Sequence, residues 1–244
     1  IQLAKFSTAQ VAAIGTNDIS ALSTSQIAGL NTTQVAAMTT SQIAALTSDQ
    51  MKGLSATQIS KMSTAQVAAL NTTNIASLST SQIAALTTSQ FAGMTTSQVK
   101  ALTTSQSRSL SAAQIASMST TQFASLDTED LASLTNTQLA SVSTAQLNGL
   151  STTQISSLTS GQIAALSTAQ IASLSTTNVQ ALTTSQFAGL TAGQLSSMST
   201  TQVAAFQTAD LASLSNSAIV GLTTSQIAGM STTQIQALNT AQIA

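Results

Sequence analysis

The chain has 244 residues, 43% of them hydrophobic and 5% charged, with a formal net charge of −1 and no Cys, His, Trp, Tyr or Pro. That composition excludes disulfides, imidazole and thiolate chemistry, and the usual zinc sites. Five basic residues cannot neutralise a phosphate backbone, which argues against nucleic acid as a partner.

An eight-residue repeat begins with the first residues and runs to the end without insertion or deletion. Leu3, Phe6, Val11 and Ile14 already occupy its two apolar positions. Counting from Leu3 in steps of eight to Ile243 gives 31 positions, of which 30 are apolar; Ser107 is the exception. Counting from Phe6 to Leu238 gives 30 positions, all apolar. Such strict periodicity marks a repeat architecture. A chain with two apolar positions in every octad is not disordered, despite its low complexity.

Residues 18–48 follow the template closely, with Gly29 just before Leu30. The same phase carries Gly53, Gly93, Gly149, Gly189, Gly221 and Gly229, and elsewhere mainly Ala and Ser. Either a neighbouring backbone lies close to this position or small residues are favoured at a helix end. Lys52 and Lys61 in residues 49–64, and Lys100 and Arg108 in residues 97–112, are solitary cations with no catalytic partner.

The copy at residues 79–86 displays the conformational logic. Ser79 followed three residues later by Gln82 is a capping box: Ser79 Oγ accepts the Gln82 amide hydrogen while the Gln82 side chain reaches back to the Ser79 amide. Gln fills this slot in 25 of 31 copies; Asp18, Asn74, Asp130, Asn178, Asp210 and Ala218 fill the others. Ile83 and Leu86 are three apart, so they share a helical face, whereas in a strand they would point to opposite faces. The position after Ile83 is Ala in 20 of 31 copies, and Ala favours helix over strand. All acidic residues fall at the start of the unit and all basic ones near its end, the polarity a helix dipole favours.

One continuous helix is excluded. Eight residues advance about 800°, so successive core pairs would drift by about 80° and wind right round the helix. The expected fold is therefore all-α: a solenoid of very short capped helices, one per octad, with a tight corner at Ser/Thr. Such short helices are unstable alone and must bury Ile and Leu against neighbouring coils. Three octads per coil, or two, both fit. Every third copy from Ala44 to Ala212 has Ala after its first core residue, which tilts the choice towards three. A β-solenoid, suggested by the many Thr, Ile and Val residues, is the alternative.

Further along, Ser107 makes residues 105–112 an expected weak point. Asp127, Glu129 and Asp130 lie within four residues, but their spacing is not that of a calcium loop; they read as solvated cap residues. Residues 137–244 return to the template. A Thr recurs from Thr8 to Thr240 in 23 of 30 copies. It reads as a corner residue bonding to local backbone, with a repetitive Thr-rich binding face as the sharper alternative.

No catalytic, cofactor-binding or metal-binding residue is assigned, and an enzyme is not expected. The residues assigned structural roles are Leu3, Phe6, Ser79, Gln82, Ile83, Leu86, Leu238 and Ile243. With only its cap lost, Gln82→Ala is expected to cost under about 1.5 kcal/mol. Residues 1–244 are expected to form a single uninterrupted array and, since Ile1 is not an initiator Met and the last octad is incomplete, part of a longer one. No apolar run approaches the roughly 20 residues of a membrane-spanning helix.

Leu166-Ser167-Thr168-Ala169-Gln170-Ile171-Ala172, and the like stretch from Leu222 to Ala228, resemble repeats in very large secreted or surface proteins of Gram-negative bacteria, often described as adhesin-like. The resemblance implies an extracellular or cell-surface, structural or adhesive role. The haem association of such repeats has no residue support, because His, Cys and Tyr are absent. Without catalytic side chains, the chain is expected to be a rod or self-assembling filament component. It would form homo-oligomers by end-to-end stacking and lateral bundling. The alternative is an adhesin stalk or binding module that presents the Thr-rich face to ice, polysaccharide or a cell surface.

Overall fold

The structure, a computed structural model, describes residues 3–243. Among them are thirty α-helices of four to six residues, a 3₁₀ turn at Leu3–Lys5 and no strand. This is the all-helical solenoid expected from the capping box and the i, i+3 core pair, and the β-solenoid is set aside. Two compact units divide the chain, residues 1–126 and 127–244, and each is built by the same rule.

Helix Thr80–Ala84 typifies both. Ser79 lies outside it at φ −69°, ψ 159°, and its Oγ accepts the Gln82 N–H. The helix ends at Ala85, whose N–H still bonds to Ser81 O, and Leu86 N–H closes the last turn on Ile83 O at 3.1 Å. Between helices the chain passes through two extended residues, as at Leu78 (φ −64°, ψ 143°) and Ser79. These are polyproline-like angles open to any L-residue. No described residue has positive φ, so the corners need neither Gly nor a left-handed cap.

The number of octads per coil follows from which helices touch. In the first unit, Thr24–Ala28 packs on Ser48–Gly53, which packs on Thr72–Ser77. In the second, Ser160–Ala165 packs on Thr184–Ala188, which packs on Thr208–Ser213. Each partner is three octads further along, so three octads make a coil and the two-octad coil is excluded. Each unit thus has three columns of stacked helices around an apolar interior. Ile83 is 0% and Leu86 3% exposed, and full burial of such a side chain stabilises by about 1.5–3 kcal/mol. Ser107, also at 0%, sits in an intact helix, Thr104–Ser109, with its capping box formed. The octad expected to be weak keeps the fold of its neighbours.

The small-residue position just before Leu faces the start of a helix in the preceding coil. Ser197 and Ser213 there donate to Thr168 O and Thr184 O at 3.1 Å. At Gly221 a Cβ would lie 2.6 Å from Ala192 Cα, and at Gly189 2.9 Å from Ser160 O. At Gly53 and Gly93 it would collide with the methyls of Thr24 and Thr64. Close backbone approach therefore explains Gly189 and Gly221, whereas at Gly53 and Gly93 the neighbour is a Thr methyl. At Gly29 and Gly229 no neighbouring coil comes within 3.4 Å of the added atom, and helix-end preference suffices.

Gly221→Ala should accordingly destabilise the chain by about 1–3 kcal/mol through overpacking. Gly161→Ala, whose Cβ meets nothing nearer than 4.0 Å, should be neutral or stabilise by up to about 1 kcal/mol. Denaturant unfolding of the two variants beside the parent chain checks the contrast.

Candidate functional site: the coil-to-coil interface

Chemistry-bearing side chains do not converge anywhere in the described residues: no group of three or more His, Cys, Asp or Glu could hold a metal. No described helix is long and apolar enough to cross a membrane. The recurring polar machinery is instead the buried glutamine at each helix start.

Gln82 is 4% exposed. Its Oε1 accepts the Ser79 N–H at 2.7 Å, which completes the capping box. Its Nε2 turns the other way and donates to Met51 O at 2.8 Å and Leu54 O at 2.6 Å. These carbonyls lie four octads back, at the end of the octad that leads into the corner below. Gln42 repeats the pair on Val11 and Ile14, Gln98 on Val67 and Leu70. In the second unit Gln170 does so on Leu139 and Val142, and Gln226 on Leu195 and Met198.

Two problems are solved together. The corner carbonyl is an orphan acceptor in a buried place, where an unmade bond costs about 1–3 kcal/mol. The glutamine is a buried polar group that must use both ends of its amide. Glutamate would satisfy an isolated capping box equally well. It would fail here, because an ionised carboxylate only accepts and would face two carbonyl oxygens. The capping box is legible in the sequence. The Nε2 bonds are not; the absence of Glu from all 31 copies of a slot where an isolated box allows it is the available signal.

Substitutes at this slot do part of the work. Asn74, one methylene shorter, reaches Leu46 O at 2.8 Å but makes no bond to its own cap amide. Asn178 approaches Leu150 O at 3.5 Å. Asp130 and Asp210 are each 3% exposed, which corrects the expectation that the acidic residues at 127–130 are all solvated: Asp127 and Glu129 are not buried, Asp130 is. Burial pushes the Asp210 carboxyl above its ordinary value, while the Gln207 N–H pulls the other way. Lys52 and Asp49 pair at 3.3 Å on the surface, a contact of little energetic weight.

Ser79, Gln82, Ile83 and Leu86 meet in one octad as cap, clamp and core. Phe6 and Ile243, expected in the core, are 39% and 65% exposed, and Leu3 and Leu238 are half-buried. The first and last described coils each have a neighbour on one side only, so their core residues are incompletely covered. With three octads per coil, the recurrent alanines form columns. Ala44, Ala68, Ala92 and Ala116 line one side of the first unit. Over residues 39–118 that side has no charged residue, while Asp49, Lys52, Lys61, Lys100 and Arg108 lie on the other two. Thr40, Thr64 and Thr88 stand exposed on the same uncharged side.

A family model described as the ALTTAQ repeat matches residues 11–48, 28–56, 48–80, 61–96, 72–104, 123–160, 160–192 and 203–240. In this chain the motif reads as core Leu, cap, first helical residue and clamping Gln, as in Ala85-Leu86-Thr87-Thr88-Ser89-Gln90. No curated protein matches the chain.

The two-sided role of the amide revises the cost of removing it. Gln82→Ala should destabilise by about 2–4 kcal/mol, above the value expected for a cap alone, because Leu54 O loses its donor and Met51 O keeps only the Leu54 N–H. Gln82→Glu, which keeps the cap acceptor, should cost at least as much at neutral pH and recover part of it in acid. Denaturant melts of both variants at neutral and acidic pH give the comparison; a Glu variant as stable as the parent at neutral pH contradicts it.

Proposed function

We propose that this chain, which belongs to the ALTTAQ repeat family, is a non-enzymatic structural protein outside the cell whose coils build a rod or self-assembling filament. The observation that carries this reading is the coil-to-coil interface. Within each unit, successive coils offer amide donors to the coil before and corner carbonyls to the coil after, so the same contact recurs without a built-in stop. The interface is directional, and repetition of such a head-to-tail contact gives an open array rather than a closed dimer. It serves equally whether the next coil belongs to the same chain or to a second copy.

Low charge supports side-by-side association, since little electrostatic repulsion opposes it. The small-residue side of the first unit, uncharged over residues 39–118, is the natural contact for bundling. The extracellular setting rests on the likeness to repeats of large secreted and surface proteins.

The exposed file of Thr40, Thr64 and Thr88 favours a second reading, in which the array is an adhesin stalk or binding module presenting hydroxyls to ice, polysaccharide or a cell surface. Electron microscopy of the purified chain, with mass measurement in solution, separates the two. Fibres of constant width that lengthen with concentration are the expected result. A monodisperse monomer at all concentrations sinks the filament, and thermal hysteresis or glycan retention by that monomer supports the second reading.

A further inference from the structure

Asp210 occupies the slot of the clamping glutamine and is the sole charged side chain in residues 131–244. It is almost wholly buried. Its Oδ2 accepts the Gln207 N–H at 3.3 Å, a long bond, and no hydrogen bond from the described residues reaches Oδ1. The register of the array sets it opposite Val179 O and Leu182 O, which stand to it as Met51 O and Leu54 O stand to Gln82. Val179 O already accepts the Leu182 N–H at 3.2 Å. Leu182 O has no donor among the described residues, whereas Leu174 O and Met198 O, its counterparts one octad before and two after, are served by Gln202 and Gln226.

Asn74 shows what a side chain of this length does in the slot: its amide nitrogen donates to the matching corner carbonyl, Leu46 O, at 2.8 Å. A neutral carboxyl has the shape of that carboxamide and carries one O–H donor; an ionised carboxylate has none. We propose that Asp210 is a proton-gated joint between two coils. Neutral, it donates its O–H to Leu182 O and supplies the bond that glutamine makes elsewhere. Ionised, having released its proton to solvent, it sets oxygen against oxygen and opens the joint.

The surroundings leave the proton as the variable. Helices Thr184–Ala188 and Thr232–Gln236 pack against Thr208–Ser213, and neither carries a titratable side chain. No cation stands by to hold the carboxylate ionised, and no second acid shares its proton. The next octad adds leverage, because Ala218 in the same slot has no side-chain donor. Of the three successive slots Gln202, Asp210 and Ala218, Gln202 alone clamps by an amide. The direction follows from burial, which raises the Asp210 pKa above 3.8 in the folded chain. A group raised on folding contributes stability that is fully present below its ordinary value and is lost as pH rises through the folded one. The joint therefore tightens in acid, the reverse of ordinary acid denaturation.

Amide hydrogen exchange on the whole chain, corrected for intrinsic rates, tests this between about pH 3.5 and 7, on either side of the ordinary carboxylate value. Amides in residues 179–190 and 207–214 should gain protection as pH falls, the opening constant dropping about tenfold per pKa unit by which folding raises Asp210. Residues 155–170, which contain no acid, should show no such trend. Asp210→Asn should make the first two segments pH-independent, with protection near the acidic limit of the parent. Protection in the parent that is flat or falls in acid overturns the proposal, as does a pH trend that survives in Asp210→Asn. Should the variant fail to fold, the carboxyl carbon of Asp210 in the parent chain can be titrated by NMR. A midpoint above the ordinary value supports the joint; one at or below it overturns it.

Discussion

A carboxamide that points both ways holds this structure together. Within each unit, where an octad carries the glutamine and stacks on a preceding coil, as at Gln82 and Gln170, the oxygen closes its own helix start and the nitrogen closes the corner of the coil below. Neither half suffices by itself. A helix this short cannot persist on a capping box, because nucleation outweighs so brief a run of bonds. The coil below cannot bury its corner carbonyl without a donor. Joining both demands in one side chain ties local to long-range order, and a satisfied buried polar network of this kind fixes one stacking register among several possible.

The apolar positions then set how much is buried, and the amide sets where. The interior is lined by one Ile-type and one Leu-type residue per octad, and alternatives from Val to Phe are accepted at the first of them, as at Val67 and Phe91, both 0% exposed. That latitude contrasts with the clamp, where a single lost methylene at Asn74 gives up the reciprocal bond to the cap amide while Asn71 still caps the helix. Volume can be shared with neighbours around an interior, but a hydrogen bond cannot be made at the wrong distance. Where the clamp is lost altogether, as at Ala218, Ala192 and Gly221 bring two backbones unusually near.

What the sequence discloses and what it withholds divide along the same line. Helix type, helix length, cap residues and the inward pair are legible at Ser79, Gln82, Ile83 and Leu86, because each depends on residues three or four apart. The coil length is tilted but not decided by the alanines from Ala44 to Ala212, since stacking lies three octads away and every octad looks alike. The donors on Met51 O and Leu54 O are hidden for the same reason: a bond reaching four octads back leaves within one octad only the absence of Glu from the glutamine slot. The burial of Asp130 and Asp210 is hidden because acids at a helix start ordinarily face water, and only the stacked coil removes it.

The corners carry a consequence for how such a chain changes length. They use two extended residues with negative φ, open to nearly any side chain, so an added or deleted octad meets no special conformational demand. The clamp does not count sides either; it seeks whichever corner lies four octads back, and all corners are equivalent. Gain or loss of a single octad would thus leave the interior intact while turning every later surface column by one side. Loss or gain of three would leave both unchanged. The alanine phase holds at every third octad from Ala44 to Ala212, which is the trace expected if slippage by whole coils was tolerated and slippage by single octads, harmless to the interior, was filtered out at the surface.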